Sequence, residues 1–320
     1  MTDAEYVSTM KSTIVRSYKE PRLLPLVRAG NRTLGALAPG LAARLAERLF
    51  LAPPRHRRPQ AEIALLASAR ARPMRLGDSR IETWKWGAGP RVLLVHGWGG
   101  RGGQLGAFIE PLVARGFSVV TFDAPGHGAS PGVLATIPQM VAAVRAVAAQ
   151  QRGPVSGLIA HSVGGVVAAR ALYEGLVAAA AVFLGTPADL VGPAARFTET
   201  LGFSRRVGEL MRERIERRVG MPWSAFRVPE LAPSLGVPLL AVHDRGDGEV
   251  PWQHSRIIAR DWPGAELLTT DGLGHRRILR DPDVIGAAVA FIAARVAERR
   301  TATVAAHGAG AVRLEAATAP

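Results

Sequence analysis

Short apolar runs alternate with amphipathic stretches between about residues 73 and 300. The runs Val92–Val95 and Leu239–Val242 contain no polar residue, which is typical of strands buried on both faces of a parallel sheet. This alternation predicts an α/β fold with a doubly wound, mostly parallel sheet and helices on both sides. The predicted strands are Ile81–Trp86, Arg91–His96, Ser118–Asp123, Val155–His161, Ala179–Leu184, Leu239–His243 and Glu266–Thr270. The predicted helices are Ile137–Ala149, Val163–Tyr173, Trp252–Arg260 and Pro282–Arg299.

One interval of this main domain, residues 73–300, lacks a strand pattern. Between Leu184 and Leu239 the only strong periodicity is that of an amphipathic helix at Ser204–Val219. A segment of this length is rarely structureless in a compact domain, so we expect a helical cap inserted at about residues 186–236. Residues 301–320 are rich in Ala, Thr and Gly and lack periodicity, and we expect a disordered tail there.

Residues 1–72 form a predicted basic, helical N-terminal extension that closes with a Pro-rich link at residues 52–59. Its clearest helical pattern covers residues 41–50. The expected apolar face comprises Leu41, Ala42, Leu45, Ala46, Leu49 and Phe50, and the expected polar face comprises Arg44, Glu47 and Arg48. Such a helix usually packs on its own domain, and a membrane-surface or partner helix is the alternative interpretation.

Composition excludes several kinds of site. The 320 residues are 48% hydrophobic and 21% charged, which is ordinary for a globular protein. Cysteine is absent, so disulfide frameworks, Cys-ligated metals and cysteine nucleophiles are excluded. No pattern typical of a metal or cofactor site is present, and we predict neither.

The net charge of +14 is concentrated at one end of the chain, because residues 1–60 hold eleven Lys/Arg against four Asp/Glu. This bias could attract an anionic membrane surface, although drift towards Arg in an Ala/Gly/Pro-rich composition explains it as well. Basic residues do not cluster with aromatics, so no nucleic-acid partner is predicted. Without a signal peptide or a charge-free apolar span, we expect a cytoplasmic protein with at most weak membrane-surface contact through residues 1–60.

The strongest chemical signal is Ser162, which follows a predicted strand and opens a predicted helix. Ala160 and Gly164 lie two positions on either side, and small residues are needed there because a serine on a sharp strand-to-helix turn has little room around it. The predicted strand Arg91–His96 leads into the segment His96–Gly100, whose glycines let the backbone turn. The N–H groups of Trp98 and Val163 are therefore candidate oxyanion donors, the alternative being a plain glycine turn covered by Trp98.

A base and an acid follow in the order expected for a serine nucleophile. His275 lies in a glycine-containing loop after the last strand, and Asp247 lies in the turn after the strand before it. His275 would accept the proton of Ser162, and the carboxylate would orient the imidazole. Asp247 is favoured because the turn needs several residues to bring a carboxylate to His275, and Asp244 and Glu249 are the alternatives.

The other histidines are expected to have structural roles. His96 lies beside the candidate oxyanion turn and would tie loops together through hydrogen bonds, and His127 lies in a tight loop where a structural role is favoured. His161 would point away from the nucleophile along the turn. The remaining ones lie in the link, the tail, a strand end and a helix, at His56, His307, His243 and His254.

Together these segments resemble the α/β-hydrolase superfamily over roughly residues 73–300. The matching segments are His96–Gly99, Asp123–Ser130, Ala160–Gly164, Asp244–Pro251 and Gly274–His275, with Ala160 where glycine is commoner. The resemblance implies an eight-stranded, mostly parallel sheet, a cap over the site, a Ser162–Asp247–His275 triad and acyl-enzyme chemistry. Serine at the turn separates the chain from branches that have an aspartate nucleophile.

A serine hydrolase that cleaves small carboxylic esters is the function expected from these residues. Alternatives are a related acyl hydrolase or transferase (lipase, thioesterase, peptidase or perhydrolase) or a non-catalytic ligand-binding member of the same fold. An apolar pocket is expected from Trp98, Met221, Trp223 and Phe226, although simple packing would explain the last three equally well. The sequence leaves acyl preference and oligomeric state open.

Overall fold

The computed structural model describes residues 23–77, 79–150 and 154–315, and for residues 302–315 it describes the helical backbone alone. The strands are β1 (Arg70–Ala71), β2 (Met74–Leu76), β3 (Ser79–Ile81), β4 (Thr83–Trp86), β5 (Arg91–Val95), β6 (Ser118–Phe122), β7 (Gly157–His161), β8 (Ala181–Leu184), β9 (Leu239–Asp244) and β10 (Glu266–Thr270). The α-helices are α1 (Leu24–Leu37), α2 (Pro39–Phe50), α3 (Gln60–Ala67), α4 (Ile109–Ala114), α5 (Ile137–Ala149), α6 (Val163–Tyr173), α7 (Val191–Thr200), α8 (Arg205–Val219), α9 (Val228–Leu231), α10 (Gln253–Asp261), α11 (Gly274–Arg277) and α12 (Pro282–Glu315). Short 3-10 helices cover Gly102–Phe108, Trp223–Phe226 and Ala232–Ser234.

Eight of the strands form one sheet in the order β1-β4-β6-β5-β7-β8-β9-β10. β5 to β10 pair in parallel, and β4 pairs antiparallel with both β6 and β1. The predicted fold class is therefore confirmed. All residues of β5 and β9 are buried, as the apolar runs Val92–Val95 and Leu239–Val242 predict. The predicted strand Ile81–Trp86 is divided between β3, which belongs to a separate hairpin with β2, and β4.

Two apolar layers cover the faces of the sheet. The first apolar layer joins the sheet to α2, α5, α6 and α8. The second apolar layer joins the sheet to α4 and α12. Because β5, β7, β9 and β10 run in the same direction, their carboxyl ends lie at one edge of the sheet. The loops that carry the predicted site residues all begin at this edge.

The N-terminal extension packs on the helices inserted between β8 and β9. The buried alanines of α2, Ala42, Ala43 and Ala46, lie against α8 in the same core cluster as Val207 and Met211. Small side chains allow this close approach of two helices. The insertion and the extension thus form one helical layer.

This packing corrects part of the expected faces of the 41–50 helix, because the alanines are buried and the arginines exposed as expected, but the leucines and Glu47 are not. Leu41, Leu45 and Leu49 are exposed, whereas Glu47 is buried with the alanines. The Glu47 carboxylate accepts hydrogen bonds from Arg214 (2.7 Å) and Arg218 (2.6 Å) of α8. Burial by itself raises the pKa of Glu47, but these two arginines outweigh it and hold the pKa below its usual range. Because its charge is paired with two arginines, Glu47 can lie on the buried face of α2.

The link and α3 also contact the main domain. Arg55 donates to the carbonyls of Gly126 and Ser130, and Arg101 pairs with Glu62 of α3 at 2.7 Å. At the other end of the chain, α12 continues as helical backbone to Glu315, beyond the predicted helix end at Arg299. Residues 316–320 of the expected tail, and residues 1–22 of the extension, lie outside the described residues. Among the helices that are described, none has both the length and the apolar character needed to cross a bilayer.

Candidate active site

Ser162 occupies the turn between β7 and α6 in a strained backbone conformation. Its φ of 55° and ψ of −130° make it the one non-glycine residue with positive φ in the described chain. Such conformations cost on the order of 1–3 kcal/mol and persist where the surrounding structure imposes them. Here the Ser162 N–H donates to the Leu184 carbonyl of β8, and α6 begins immediately at Val163. This backbone conformation places the Ser162 hydroxyl at the edge of the sheet where the strands end.

The Ser162 hydroxyl begins a chain of three hydrogen-bonded side chains. Its Oγ lies 3.0 Å from His275 Nε2, and His275 Nδ1 lies 2.6 Å from Asp247 Oδ2. His275 and Asp247 are both buried, with 7% and 6% exposure. The other carboxylate oxygen, Oδ1, accepts the backbone N–H groups of Glu249 and Val250 at 2.8 and 2.9 Å. The structure thus brings together the three residues that the sequence selects.

The two alternative acids lie elsewhere. Asp244 is fully buried, and its oxygens accept from the Gly246 and Leu273 N–H groups and the Thr270 hydroxyl. It therefore ties the β9 loop to the β10 loop. Glu249 forms an ion pair with Arg276 at 2.9 Å on the surface.

Asp247 has a second histidine partner that the sequence analysis missed. His243 Nε2 lies 3.2 Å from Asp247 Oδ2 and 2.9 Å from the Val250 carbonyl, and Nδ1 lies 2.7 Å from the Ser255 hydroxyl. Because both neighbours of Nε2 are acceptors, Nε2 carries the proton. Burial by itself raises the pKa of Asp247, but the hydrogen bonds from His243 and His275 outweigh it and hold this pKa well below its usual range. No local pattern indicates this contact, because a spacing of four residues brings side chains together on a helix and these two lie in β9 and the turn after it.

His161 contacts the loop of the candidate base, a role that the sequence analysis did not assign to it. Its Nε2 lies 2.9 Å from the backbone carbonyl of His275, and the two rings are 4.7 Å apart. It therefore fixes the loop that carries the candidate base. The residue next to the nucleophile faces this loop because β7 and β10 end at the same edge.

Two glycines leave the room that these groups need. A Cβ on Gly97 would lie 2.9 Å from the Ser162 Cβ, so the loop after β5 can approach the serine only without a side chain there. Gly185, with φ of 59°, follows β8 and faces the His275 ring, where a Cβ would lie 3.1 Å from Nδ1. The candidate oxyanion donors Trp98 and Val163 lie on the two sides of this close approach.

His96 ties two loops together, as expected, and His127 has a local contact within its own loop. His96 Nε2 accepts the Ala124 N–H at 3.0 Å and its Nδ1 faces the Gly97 carbonyl, while His127 Nδ1 faces the Pro125 carbonyl. Burial lowers the pKa of His96 to about 4 and that of His127 to about 3. For the same reason the pKa of His161 falls to about 3 and that of His254 to about 4. These four rings are neutral in the folded protein near pH 7.

We expect the free energy of unfolding to fall as the pH is lowered from about 6.5 to about 4. In the unfolded chain these imidazoles take up protons with ordinary pKa values, whereas the fold keeps them neutral, so acid favours unfolding by up to roughly 1.4 kcal/mol per pH unit for each histidine. Urea denaturation across this range measures the slope. His127→Gln should reduce the slope, and His56→Gln, at an exposed position, should leave it unchanged. Equal slopes for both variants and the wild type would contradict this explanation.

All four predicted pocket residues lie in the wall of a cavity of about 420 Å³. Trp98 and Val163 connect this wall to the serine, and the insertion contributes Met221, Trp223 and Phe226. The sequence analysis missed the contribution of the N-terminal extension, from which Phe50 packs its ring 5.2 Å from Phe197 and 6.1 Å from Trp223. The extension contributes Leu49, Phe50, Leu51, Ala52 and Pro54 to the wall. The wall is almost entirely apolar.

A mostly parallel sheet with a strained serine at the strand–helix turn defines the class of α/β hydrolases. A sequence model described as the Alpha/beta hydrolase family matches residues 92–288, which is more than half of the chain. The protein belongs to the alpha/beta hydrolase family and is an enzyme of that type.

Several curated proteins are similar in sequence. A pimeloyl-(acyl-carrier protein) methyl ester esterase of Methylococcus capsulatus is 37% identical over 109 residues, covering 33% of this chain and 41% of that protein. A serine hydrolase-like protein of Danio rerio is 34% identical over 111 residues, covering 33% and 34%. The chain thus spans less than half the length of these two relatives. The pimeloyl-(acyl-carrier protein) methyl ester esterase of Xanthomonas campestris is 28% identical over 251 residues, covering 65% of this chain and 97% of that protein.

Solved structures share the fold at low sequence identity. Est1E from Butyrivibrio proteoclasticus, in a structure with bound ferulic acid, has a TM-score of 0.58 at 20% identity and covers 71% of this chain and 100% of its own. Alpha/beta hydrolase domain-containing protein 10 from mouse has a TM-score of 0.56 at 18% identity, with coverage of 72% and 99%. At these identities the likeness concerns the fold alone.

Proposed function

We propose that the protein hydrolyses carboxylic esters of apolar acyl groups through an acyl-enzyme intermediate on Ser162. The observation that carries this proposal is the hydrogen-bonded chain from Ser162 Oγ through the His275 ring to Asp247 Oδ2, with contacts of 3.0 and 2.6 Å. An esterase activity also fits the names of the methyl ester esterases to which the chain is similar. A non-catalytic ligand-binding role is disfavoured because such proteins have no need to maintain this hydrogen-bonded chain.

In the acylation step, Ser162 Oγ forms a bond to the ester carbonyl carbon while its proton moves to His275 Nε2. Asp247 accepts the Nδ1–H of His275, which keeps Nε2 free to accept that proton and stabilises the resulting imidazolium. The carbon–oxygen bond to the alcohol then breaks, and His275 gives its proton to the leaving alkoxide. The products of this half-reaction are the free alcohol and the acyl group on Ser162.

In the deacylation step, water replaces the alcohol. His275 Nε2 takes a proton from water, whose oxygen bonds to the acyl carbon, and the same proton returns to Ser162 Oγ as the acid leaves. In both steps negative charge develops on the carbonyl oxygen. The backbone N–H groups of Trp98 and Val163 are assigned to bind it, and each such donor is worth roughly 3 kcal/mol of barrier.

The cavity provides the argument for an apolar acyl group. Trp98 and Val163, the assigned oxyanion donors, also belong to the wall of the cavity. When the carbonyl oxygen of the ester faces these two residues, the carbonyl carbon lies beside the cavity, and we assign the cavity to the acyl chain. Burial of each methylene contributes roughly 0.8 kcal/mol, which favours a chain of several carbons in an apolar wall. A charged acyl group would lose its hydration there without a partner.

Labelling with a fluorophosphonate probe tests the proposal directly, because such probes modify activated serine nucleophiles. We expect one modified residue, Ser162, together with turnover of p-nitrophenyl esters. Labelling that maps to another serine, or no labelling and no turnover across ester, thioester and amide substrates, would overturn it.

Narrowing the cavity should shift acyl-chain preference. Val219 is half-buried in the wall at the end of α8, and Val219→Phe would occupy the space of about two methylenes. We expect kcat/KM for p-nitrophenyl decanoate to fall about tenfold, because roughly 0.8 kcal/mol is lost per excluded methylene, with p-nitrophenyl acetate little affected. Val177→Phe, at an exposed position beyond the far end of α6, is the matched control. An equal fall for both esters would contradict the assignment of the acyl chain to this cavity.

A further inference from the structure

The outer face of α2 combines exposed leucines with exposed arginines. Leu41, Leu45 and Leu49 recur every four residues and are 55%, 37% and 41% exposed. Arg44 and Arg48 form a parallel row beside them and are also exposed. We call these five residues the leucine–arginine face. Exposed leucines are common singly, but a row on one helix flanked by cations is the pattern of a helix that lies on a membrane surface.

Within residues 23–59 the exposed charge is entirely positive. Residues 23–59 contain seven arginines and a single acidic residue, Glu47. Glu47 is 3% exposed and bound by Arg214 and Arg218, so it contributes no exposed negative charge. Arg32 and Arg57 are exposed as well. This segment is therefore electrostatically complementary to an anionic surface.

The face is continuous with the wall of the cavity. Leu49 belongs to the leucine–arginine face and also to the cavity wall, and Phe50 and Leu51 extend that wall inward. An apolar molecule that leaves a lipid layer beside Leu49 would reach the cavity without crossing water. A surface bound at the leucine–arginine face would therefore lie next to the candidate active site.

From these observations we propose that the leucine–arginine face docks on an anionic phospholipid surface. The leucines enter the boundary of the acyl chains while the arginines remain at the phosphate groups, as amphipathic interfacial helices do. A symmetric contact between two copies is the other way to cover the leucines. It is disfavoured because a two-fold interface would bring the Arg44 and Arg48 rows of both copies together.

Co-sedimentation of the full chain with vesicles tests the docking. The vesicles are phosphatidylcholine alone or an equimolar mixture of phosphatidylcholine and phosphatidylglycerol, at low and high salt. We expect binding to the anionic vesicles, weakened by salt, and little binding to the neutral ones. Because the phospholipids are themselves carboxylic esters, the experiment is repeated with Ser162→Ala, and equal binding by this variant shows that docking is independent of the proposed hydrolysis.

Variants separate the two components of the face. Leu41→Gln/Leu45→Gln should weaken binding about tenfold or more, since the apolar insertion is lost, and Val177→Gln is its exposed control. Arg44→Gln/Arg48→Gln should weaken it about fivefold per arginine, with Arg115→Gln, exposed at the end of α4, as control. Glutamine is a good helix former, so both double variants should preserve α2.

Three outcomes would overturn the docking proposal. The first is failure of the full chain to bind anionic vesicles, and the second is unchanged binding by Leu41→Gln/Leu45→Gln. The third is sedimentation of the wild type as a dimer that this leucine variant dissociates, without vesicle binding by either protein. That result would assign the face to contact between copies.

Discussion

Replacement of Ser162 by alanine is expected to lower kcat/KM for a short p-nitrophenyl ester by a factor on the order of 10⁴–10⁶. The variant removes the hydroxyl that His275 Nε2 faces at 3.0 Å, which is the group proposed to form the covalent bond. The residual rate would come from substrate binding and from the oxyanion donors. Steady-state kinetics measures this loss, and fluorophosphonate labelling should disappear with it.

A matched control is available at the opposite end of β7, the strand that leads to Ser162. Ser156→Ala removes a hydroxyl just before the amino end of β7, away from the edge that carries the site, and should leave activity near that of the wild type. Thermal unfolding of both variants shows whether either change affects the fold. Substantial turnover by a folded Ser162→Ala protein would contradict the proposed nucleophile.

Replacement of Asp247 by asparagine is expected to lower kcat by about 10⁴, although the side chain keeps its size. An amide nitrogen facing His275 Nδ1 would favour the tautomer with the proton on Nε2, and that nitrogen could then not accept the proton of Ser162. The two backbone N–H groups that bind Oδ1, those of Glu249 and Val250, should retain the amide oxygen and so preserve the loop. The loss should therefore appear in kcat rather than in stability.

Two comparisons make the Asp247 prediction specific. Asp244→Asn should lower stability more than activity, because Asp244 accepts three hydrogen bonds from the loops and does not contact His275. Asp271→Asn, at an exposed position with 72% side-chain exposure, should change neither. A larger loss of kcat in Asp244→Asn than in Asp247→Asn would show that the wrong carboxylate has been assigned.

Local chemistry explains why much of the fold and site is visible in the sequence. The buried parallel strands are encoded by apolar runs such as those of β5 and β9, and the helices α5 and α6 have the predicted bounds. The turn at Ser162 needs small neighbours, and a parallel sheet places every strand's carboxyl end at the same edge. Chain order therefore predicts that Ser162 and His275 meet with a carboxylate from the segment Asp244–Glu249.

Long-range packing decided the features that local patterns leave open. In α2 both the leucine row and the alanine row satisfy the helical period, and α8 selects the alanines because they permit close approach and because Arg214 and Arg218 neutralise Glu47. Likewise, the turn after β9 offers several carboxylates, and the hydrogen bonds of Asp244 to the neighbouring loop leave Asp247 for His275.

The amino-acid sequence by itself thus determined the sheet and the turn at Ser162, because each depends on residues close together in the chain, and it indicated Ser162 and His275 as the candidate reacting groups. The tertiary structure alone decided that the N-terminal extension forms a wall of the cavity, that His243 and His161 support the site, and that the leucines of α2 face outward. Each of these depends on contacts between segments more than a hundred residues apart or on loop geometry, and periodicity carries no information about either.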